Sequence, residues 1–355
     1  MFTPDLDLLE CTLRDGSYTI SFQFTARDTA LIAEALEDVG FTLIEVGHGI
    51  GLGASAAGMG DAAETDEAYM RSAASALSRA KAGVFCIPGI ASLDHVDLAA
   101  DCGMGFIRIG TNVTEAGEAG PFIERARKRG LMVCANFMKS YACSPDEFGE
   151  IAYRSAQDGA QVIYVVDSAG GMMPHEVRAF CHAVLARTAV KLGFHGHNNL
   201  GLGVSNAIVA VECGACLVDT SLQGLGRSGG NTPTEQFVSV LARRGLDLGI
   251  DPIAVMDVGE RFIAPLITRR GLNSLDIVLG LAQFHSSYMG IVRRFASLYD
   301  VDPRRLVMRV AARDKVHAPL DIVDQEARRL AKENQRAEAS TARFAFQQYC
   351  GAEQR

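Results

Sequence analysis

The segment His195-Gly196-His197-Asn198-Asn199 closes an apolar run, Lys191 to His197, that reads as a strand. Residues two apart on a strand face the same way, so both imidazoles would point into one site. Two imidazoles are a partial ligand set. A carboxylate from another strand end would complete a facial metal triad with open positions for a substrate. Asp15, in Thr12-Leu13-Arg14-Asp15-Gly16, is read as ending the first strand and is the natural third ligand. Asn231, in Gly229-Gly230-Asn231-Thr232-Pro233-Thr234-Glu235, offers a side-chain oxygen that could complete the shell. The alternatives are that the two histidines are ordinary polar residues of a barrel interior and that Asn231 is a turn residue. Thr232, Pro233 and Glu235 are read as a capping box with Pro at the first helical position.

The stretch Gly224-Leu225-Gly226-Arg227-Ser228-Gly229 has the spacing of a dinucleotide fingerprint. It follows the last strand of the series, whereas a dinucleotide-binding unit carries that turn after its first strand. It is therefore read as a flexible active-site loop, whose amides before a helix could also take a phosphate.

These groups need a scaffold that brings distant strand ends together. Short apolar, β-branched runs recur at Leu8 to Leu13, Leu43 to Gly47, Gly83 to Ile87, Phe106 to Gly110, Met132 to Phe137, Val162 to Asp167, Lys191 to His197 and Leu217 to Leu222. Helical segments separate them, including Ala26 to Val39 behind Thr25 and Pro145 to Asp158 behind Ser144, with Glu147 at the third position. Runs this apolar suit strands covered on both faces by helical crossovers. Their count and spacing predict a (β/α)8 TIM barrel, with the site at the C-terminal ends of the strands. An open doubly wound sheet is the rival. The barrel is expected over residues 1–255 and a helical C-terminal subdomain over 256–332. Ser274 to Tyr299, Pro303 to Arg313 and Leu320 to Lys332 are read as amphipathic helices. Residues 333–355 are expected to form a polar tail or contact arm.

The balance of 34 Lys and Arg against 42 Asp and Glu gives a formal charge of -8, which offers no reason to bind nucleic acid or an anionic membrane surface. The N-terminus lacks a signal-peptide layout and no apolar stretch is long enough to span a bilayer, so a cytoplasmic protein is expected. The nine Cys residues are read as scattered without a C-x-x-C pair, reduced thiols rather than disulfides or structural zinc ligands, with Cys143 and Cys213 the two that could react.

Thr12-Leu13-Arg14-Asp15-Gly16, Glu45-Val46-Gly47-His48-Gly49, Asp167-Ser168-Ala169-Gly170, His195-Gly196-His197-Asn198 and Gly230-Asn231-Thr232-Pro233, taken in order, resemble the 4-hydroxy-2-oxovalerate aldolases of the HMG-CoA lyase-like superfamily. The resemblance covers most of the chain, Pro265 to Tyr299 included. It implies a Mn2+ or Mg2+ ion on Asp15, His195 and His197, with Asn231, chelating the carboxylate and keto oxygens of a pyruvate unit. Arg14 would stand beside the oxygen that becomes an enolate, where a fixed cation stabilises developing charge. Ser168 would hydrogen-bond the substrate carboxylate or serve as a turn hydroxyl. His48 is a further donor at the site mouth, and Glu45 a supporting partner in the barrel.

One departure from the family pattern concerns proton transfer. Tyr18 stands where the family has its catalytic His, and His285 stands near the position of a substrate-contacting Tyr. If both reach one cavity, they form an acid/base pair with His285 the proton acceptor, since unperturbed His titrates near 6.5 and Tyr near 10. Otherwise Tyr18 packs and His285 lies on a helix surface.

The resemblance implies cleavage or formation of a 4-hydroxy-2-oxo acid through a pyruvate enolate. It also implies an aldehyde dehydrogenase partner and a homo-oligomer. The competing functions are a Claisen-type acyl-CoA synthase or lyase, and an inactive barrel that scaffolds a partner enzyme.

Overall fold

The computed structural model describes residues 6–267 and 273–337. Eight parallel strands close in sequence order into a barrel, with β1 paired to both β2 and β8. The strands are β1 (Asp7–Glu10), β2 (Leu43–Glu45), β3 (Lys81–Cys86), β4 (Phe106–Asn112), β5 (Met132–Met138), β6 (Val162–Asp167), β7 (Lys191–Gly196) and β8 (Leu217–Thr220). Helices α1 (Ala26–Asp38), α2 (Asp66–Ala76), α3 (Leu93–Asp101), α4 (Gly120–Lys128), α5 (Pro145–Gln157), α6 (Pro174–Arg187), α7 (Gly203–Glu212) and α8 (Thr234–Arg243) follow the strands in turn. Further along come α9 (Pro252–Val258), α10 (Ser274–Ala282), α11 (Met289–Tyr299), α12 (Pro303–Arg313) and α13 (Leu320–Ala337). Among the described residues no helix is long and apolar enough to cross a membrane.

The local signals act as the chain pattern suggests. Thr25 and Asp28 form a reciprocal capping box on α1, as do Ser144 and Glu147 on α5 with Pro145 opening the helix. Two chain segments depart from expectation. No side chain caps α8: Thr232 Oγ1 donates to the Gly196 carbonyl, and the Glu235 carboxylate accepts from the Gln223 backbone N–H at 2.9 Å. The segment 274–299 is two helices, broken at Gln283, whose φ of 50° ends α10.

Strand residues alternate between two cores. Leu8, Ile44, Val84 and Ile107 pack outward under the helices, while Leu9, Leu43, Phe106, Cys134, Val162, Tyr164 and Leu217 form a separate inner cluster. Gly83 and Gly193 make room for large neighbours on adjoining strands; an added Cβ would collide with the Phe106 ring at the first and lie 2.7 Å from that of Tyr164 at the second. Two residues beyond Leu43, Phe106, Cys134 and Leu217 come Glu45, Arg108, Asn136 and Asp219, all buried. A polar layer therefore covers the apolar plug on the side where the strands end.

The chain divides into two compact units, the first ending at Ser286 and the second beginning at Ser287. Helices α9 and α10 thus count with the barrel unit. In the second unit Leu306, Val307, Val310, Val323, Ala327 and Leu330 are buried, and Tyr288 Oη donates to the Val316 carbonyl at 2.9 Å. Helix α13 runs on to Ala337, into the stretch expected to be a polar tail; residues 338–355 of that tail lie outside the described residues. None of the eight described cysteines is disulfide-bonded. Cys213 and Cys216 do stand at C-x-x-C spacing, a correction to the scattered pattern read above.

Candidate metal centre and active site

The turn after β1 places Asp15 at the start of a short 3-10 helix, Asp15–Ile20, rather than at the end of the strand. Glu10 holds that turn to the turn after β8. Its carboxylate accepts from Thr12 Oγ1 at 2.6 Å, from the Leu222 N–H at 2.8 Å and from Thr234 Oγ1 at 3.2 Å. Burial pushes the Glu10 carboxyl up to about 7 against the lowering effect of these donors.

The end of β7 brings His195 and, one residue beyond the strand, His197 to one site, and Asp15 meets them from the turn after β1, with β8 the one strand between. His195 Nε2 lies 3.8 Å from Asp15 Oδ2 and 3.4 Å from His197 Nε2. One ligand atom from each of the three residues falls within 4.8 Å of the others, and all three residues are buried. His195 Nδ1 donates to Asp219 Oδ2 at 2.7 Å, and His197 Nδ1 donates to the Gly230 carbonyl at 3.2 Å. Those bonds put both ring protons on Nδ1 and turn two bare Nε2 lone pairs toward each other, an arrangement that favours a cation between them.

The surrounding atoms fit a cation as well. Asp15 Oδ1 and Asn231 Oδ1 are buried without a hydrogen-bond partner. Asn231 is held by its amide, which donates to the Leu225 carbonyl at 3.2 Å, and it bridges to His197 through the backbone. Burial pushes the Asp15 carboxyl up, but Arg14, followed by His197 and His195, outweighs it and holds the group below the usual carboxylate range. Burial lowers His197 to about 4. Both groups are therefore in the form that a metal binds at neutral pH.

Arg14 stands beside the triad. Its Nε donates to Glu45 at 2.7 Å, and its Nη1 donates to Asp15 at 2.9 Å and to the Gly49 carbonyl at 3.2 Å. Nη2 makes no bond among the described residues. Glu45 also accepts from Arg108 at 2.9 Å, so it supports two arginines, in keeping with the supporting role read for it. Arg108, fully buried, further donates to Asn136 at 2.8 Å and to Asp219. This ties the Arg14 side chain to the carboxylate that orients His195.

Ser168, at the end of β6, accepts the Lys139 backbone N–H at 2.8 Å and keeps its hydroxyl proton to donate. Asp167 before it shapes the turn, accepting from the N–H groups of Gly171 and Met172, and burial raises its carboxyl to about 6.

Tyr18 is half-buried, with its ring 5.2 Å from that of Phe22 and the Arg227 guanidinium 4.2 Å above it. Burial raises its phenol, and Asp15 and Arg14 also act on it. His285 lies in the break after α10, buried, not on a helix surface. Burial drives its imidazole well below 6.5, with Arg227, Lys139 and His197 adding to the shift and Asp15 opposing it. Both residues are thus within electrostatic reach of the triad.

His48 is a correction. Its Nε2 donates to the Gly60 carbonyl at 3.1 Å, its Nδ1 accepts from the Ile50 N–H at 3.1 Å, and its ring stacks on Phe22 at 3.8 Å. With both nitrogens occupied by backbone, it ties the loop after β2 instead of offering a donor to the site.

Glu10, Arg108, Asn136 and Asp219 are absent from the reading of the sequence. The available signal was a charged or amide residue inside an apolar run, as in Phe106-Ile107-Arg108-Ile109 and Leu217-Val218-Asp219.

Residues 5–261 match the HMGL-like family. The chain is 37% identical over 330 residues to 4-hydroxy-2-oxovalerate aldolase 2 of Nocardia farcinica, covering 93% of this chain and 95% of the relative. It is 37% identical over 333 residues to 4-hydroxy-2-oxovalerate aldolase of Moorella thermoacetica, covering 94% of this chain and 98% of that one. Among solved structures, the carboxyl transferase domain of Rhizobium etli pyruvate carboxylase, with pyruvate and biocytin, matches with a TM-score of 0.75 over 93% of this chain and 61% of that one. At 15% identity that likeness is one of fold.

Proposed function

The chain belongs to the HMGL-like family, among the 4-hydroxy-2-oxovalerate aldolases, and we propose accordingly that it cleaves and forms 4-hydroxy-2-oxo acids through a pyruvate enolate. The observation that carries this reading is the convergence of Asp15, His195 and His197 from two strand ends, with Arg14 against the carboxylate. In this reading Asp15, His195, His197 and the Asn231 amide oxygen hold Mn2+ or Mg2+, which when bound supplies a Lewis acid for the 2-oxo acid.

The chain's own residues do the rest. Ser168 donates to the substrate carboxylate, and Arg14 Nη2 faces the keto oxygen, where its charge favours the enolate over the ketone. His285, kept neutral by its surroundings, accepts the proton of the C4 hydroxyl. The O–H electron pair becomes the aldehyde C=O, the C3–C4 bond breaks, and its electrons pass to C3 and the keto oxygen. Tyr18, whose phenol is raised and so protonated at neutral pH, is the donor that returns a proton to C3. The polar layer of Glu45, Arg108 and Asp219 holds Arg14 and His195 in place.

Family resemblance supports an aldehyde dehydrogenase partner that consumes the aldehyde, and a homo-oligomeric assembly; co-purification and solution mass read both. The unbridged cysteines support a reducing, cytoplasmic compartment.

Proton NMR of pyruvate in D2O with Mn2+-loaded protein, quenched and demetallated before reading, tests the enolate step whatever the aldehyde is. The methyl signal should decay with the parent protein and persist with metal-free protein and with Asp15→Ala. A methyl signal that persists with the parent, candidate aldehydes included, would refute the aldolase reading.

A further inference from the structure

We propose that Arg227 binds an anionic substituent on the aldehyde half of the substrate, so that the second substrate is an aldehyde carrying a carboxylate or phosphate group. The proposal rests on the aldolase reading above and adds the class of its second substrate.

Arg227 is built into the site, not merely near it. Its loop is fastened on one flank by Thr19 Oγ1, which donates to the Gly226 carbonyl at 3.2 Å, and by the Asn231 amide on the Leu225 carbonyl. On the other flank Asn199 Nδ2 donates to Ser228 Oγ at 2.7 Å. The guanidinium rests over the Tyr18 ring at 4.2 Å to the centroid. It makes no ion pair among the described residues, although it is only part-exposed. Asp15, a carboxylate on which Arg227 acts, is already bonded to Arg14 at 2.9 Å.

A second cation acts on the same histidine as Arg227. Lys139, just after β5, has φ at 57°, is 4% exposed, and its backbone N–H donates to the Ser168 hydroxyl. Arg227 and Lys139 are also the two strongest charges acting on His285, and Arg227 acts on Asp15, His197 and Tyr18. With Arg14 assigned to the keto oxygen and Ser168 to the pyruvate carboxylate, Arg227 has no anion left for it in the pyruvate half. A partly desolvated guanidinium gains most from a carboxylate or phosphate, which it can hold through two N–H groups.

The test compares kcat/KM for condensation of pyruvate with paired aldehydes: 4-oxobutanoate against butanal, and glyceraldehyde 3-phosphate against glyceraldehyde. The parent should prefer the anionic member of at least one pair by about tenfold or more, the scale of a hydrogen bond to a charged group. The pair that shows the preference identifies carboxylate or phosphate. In Arg227→Gln the anionic-to-neutral ratio should fall toward one, and Arg227→Lys should keep part of it. Because both rates come from one variant, a loss of folded protein cancels in the ratio.

A parent ratio at or below one in both pairs, or a ratio unchanged in Arg227→Gln, would overturn the proposal. So would a rise in the KM for pyruvate with an unchanged ratio, which would assign Arg227 to the pyruvate carboxylate. Pyruvate methyl exchange in the parent separates the two ideas: exchange without anionic preference sinks only this proposal, whereas no exchange and no turnover of any pair sinks both.

Discussion

Asp219→Asn separates the charge of the orienting carboxylate from the space it fills. Oδ2 of Asp219 serves two donors, His195 Nδ1 at 2.7 Å and Arg108, and the residue is 1% exposed. An amide keeps the shape but weakens the acceptor and removes the charge that stabilises the Nδ1–H tautomer of His195. Loss of such a partner behind a metal-binding imidazole costs about 10- to 100-fold in affinity, or roughly 1.4–2.7 kcal/mol. Removing one partner of a buried ion pair costs about 3–5 kcal/mol of stability when the charge left behind has nothing else. Arg108 retains Glu45 at 2.9 Å and Asn136 at 2.8 Å, so the loss should be about 3 kcal/mol or less. Mn2+ affinity is read by electron paramagnetic resonance of the free ion at neutral pH, beside melting of the metal-free protein. Weakened Mn2+ binding with a folded variant is the expected result. Unchanged affinity together with a lowered melting temperature would refute the reasoning and leave Asp219 as a structural partner of Arg108 alone.

Two further outcomes follow from the buried titrating groups. His285 acts as a base only when neutral, so turnover should be full above its pKa and lost below it; burial with Arg227 and Lys139 places that acid limb below pH 6.5. A limb at or above neutrality in a stopped assay of aldol cleavage would assign the base elsewhere. The Glu10 carboxyl is raised from 4.5 to about 7, so its contribution to stability is full below the unfolded value and is lost as pH rises through the folded one. Glu10→Gln should therefore flatten the fall in stability between those two pH values, on the order of 3 kcal/mol, as read by denaturant melts; parallel pH profiles for parent and variant would exclude this role.

The eight apolar runs, the caps at Thr25 and Ser144 and the paired histidines were legible in the sequence because each depends on neighbours close along the chain. The strand period alone puts His195 and His197 on one face, and an unusually polar strand end marks where chemistry belongs. Asp15 could be chosen as their partner because closure of eight strands leaves β1 and β7 one strand apart. The motifs also carried the family likeness.

Closure of the barrel decided the rest. Glu45, Arg108, Asn136 and Asp219 come from four strands far apart in the chain and become one network only when their inward faces meet. His48 has donor chemistry in the sequence, but the loop after β2 folds back and takes both its nitrogens. Glu235 has the spacing of a capping residue, yet the turn after β8 supplies it with a closer donor at Gln223. His285 shares the site's field because the chain breaks after α10 and buries it, which no helical period predicts. Sequence pattern thus determined which residue types stand at the strand ends, since propensity and alternation act locally. Tertiary structure decided which of them are free to act, since a buried polar group is claimed by whichever partner the fold brings nearest.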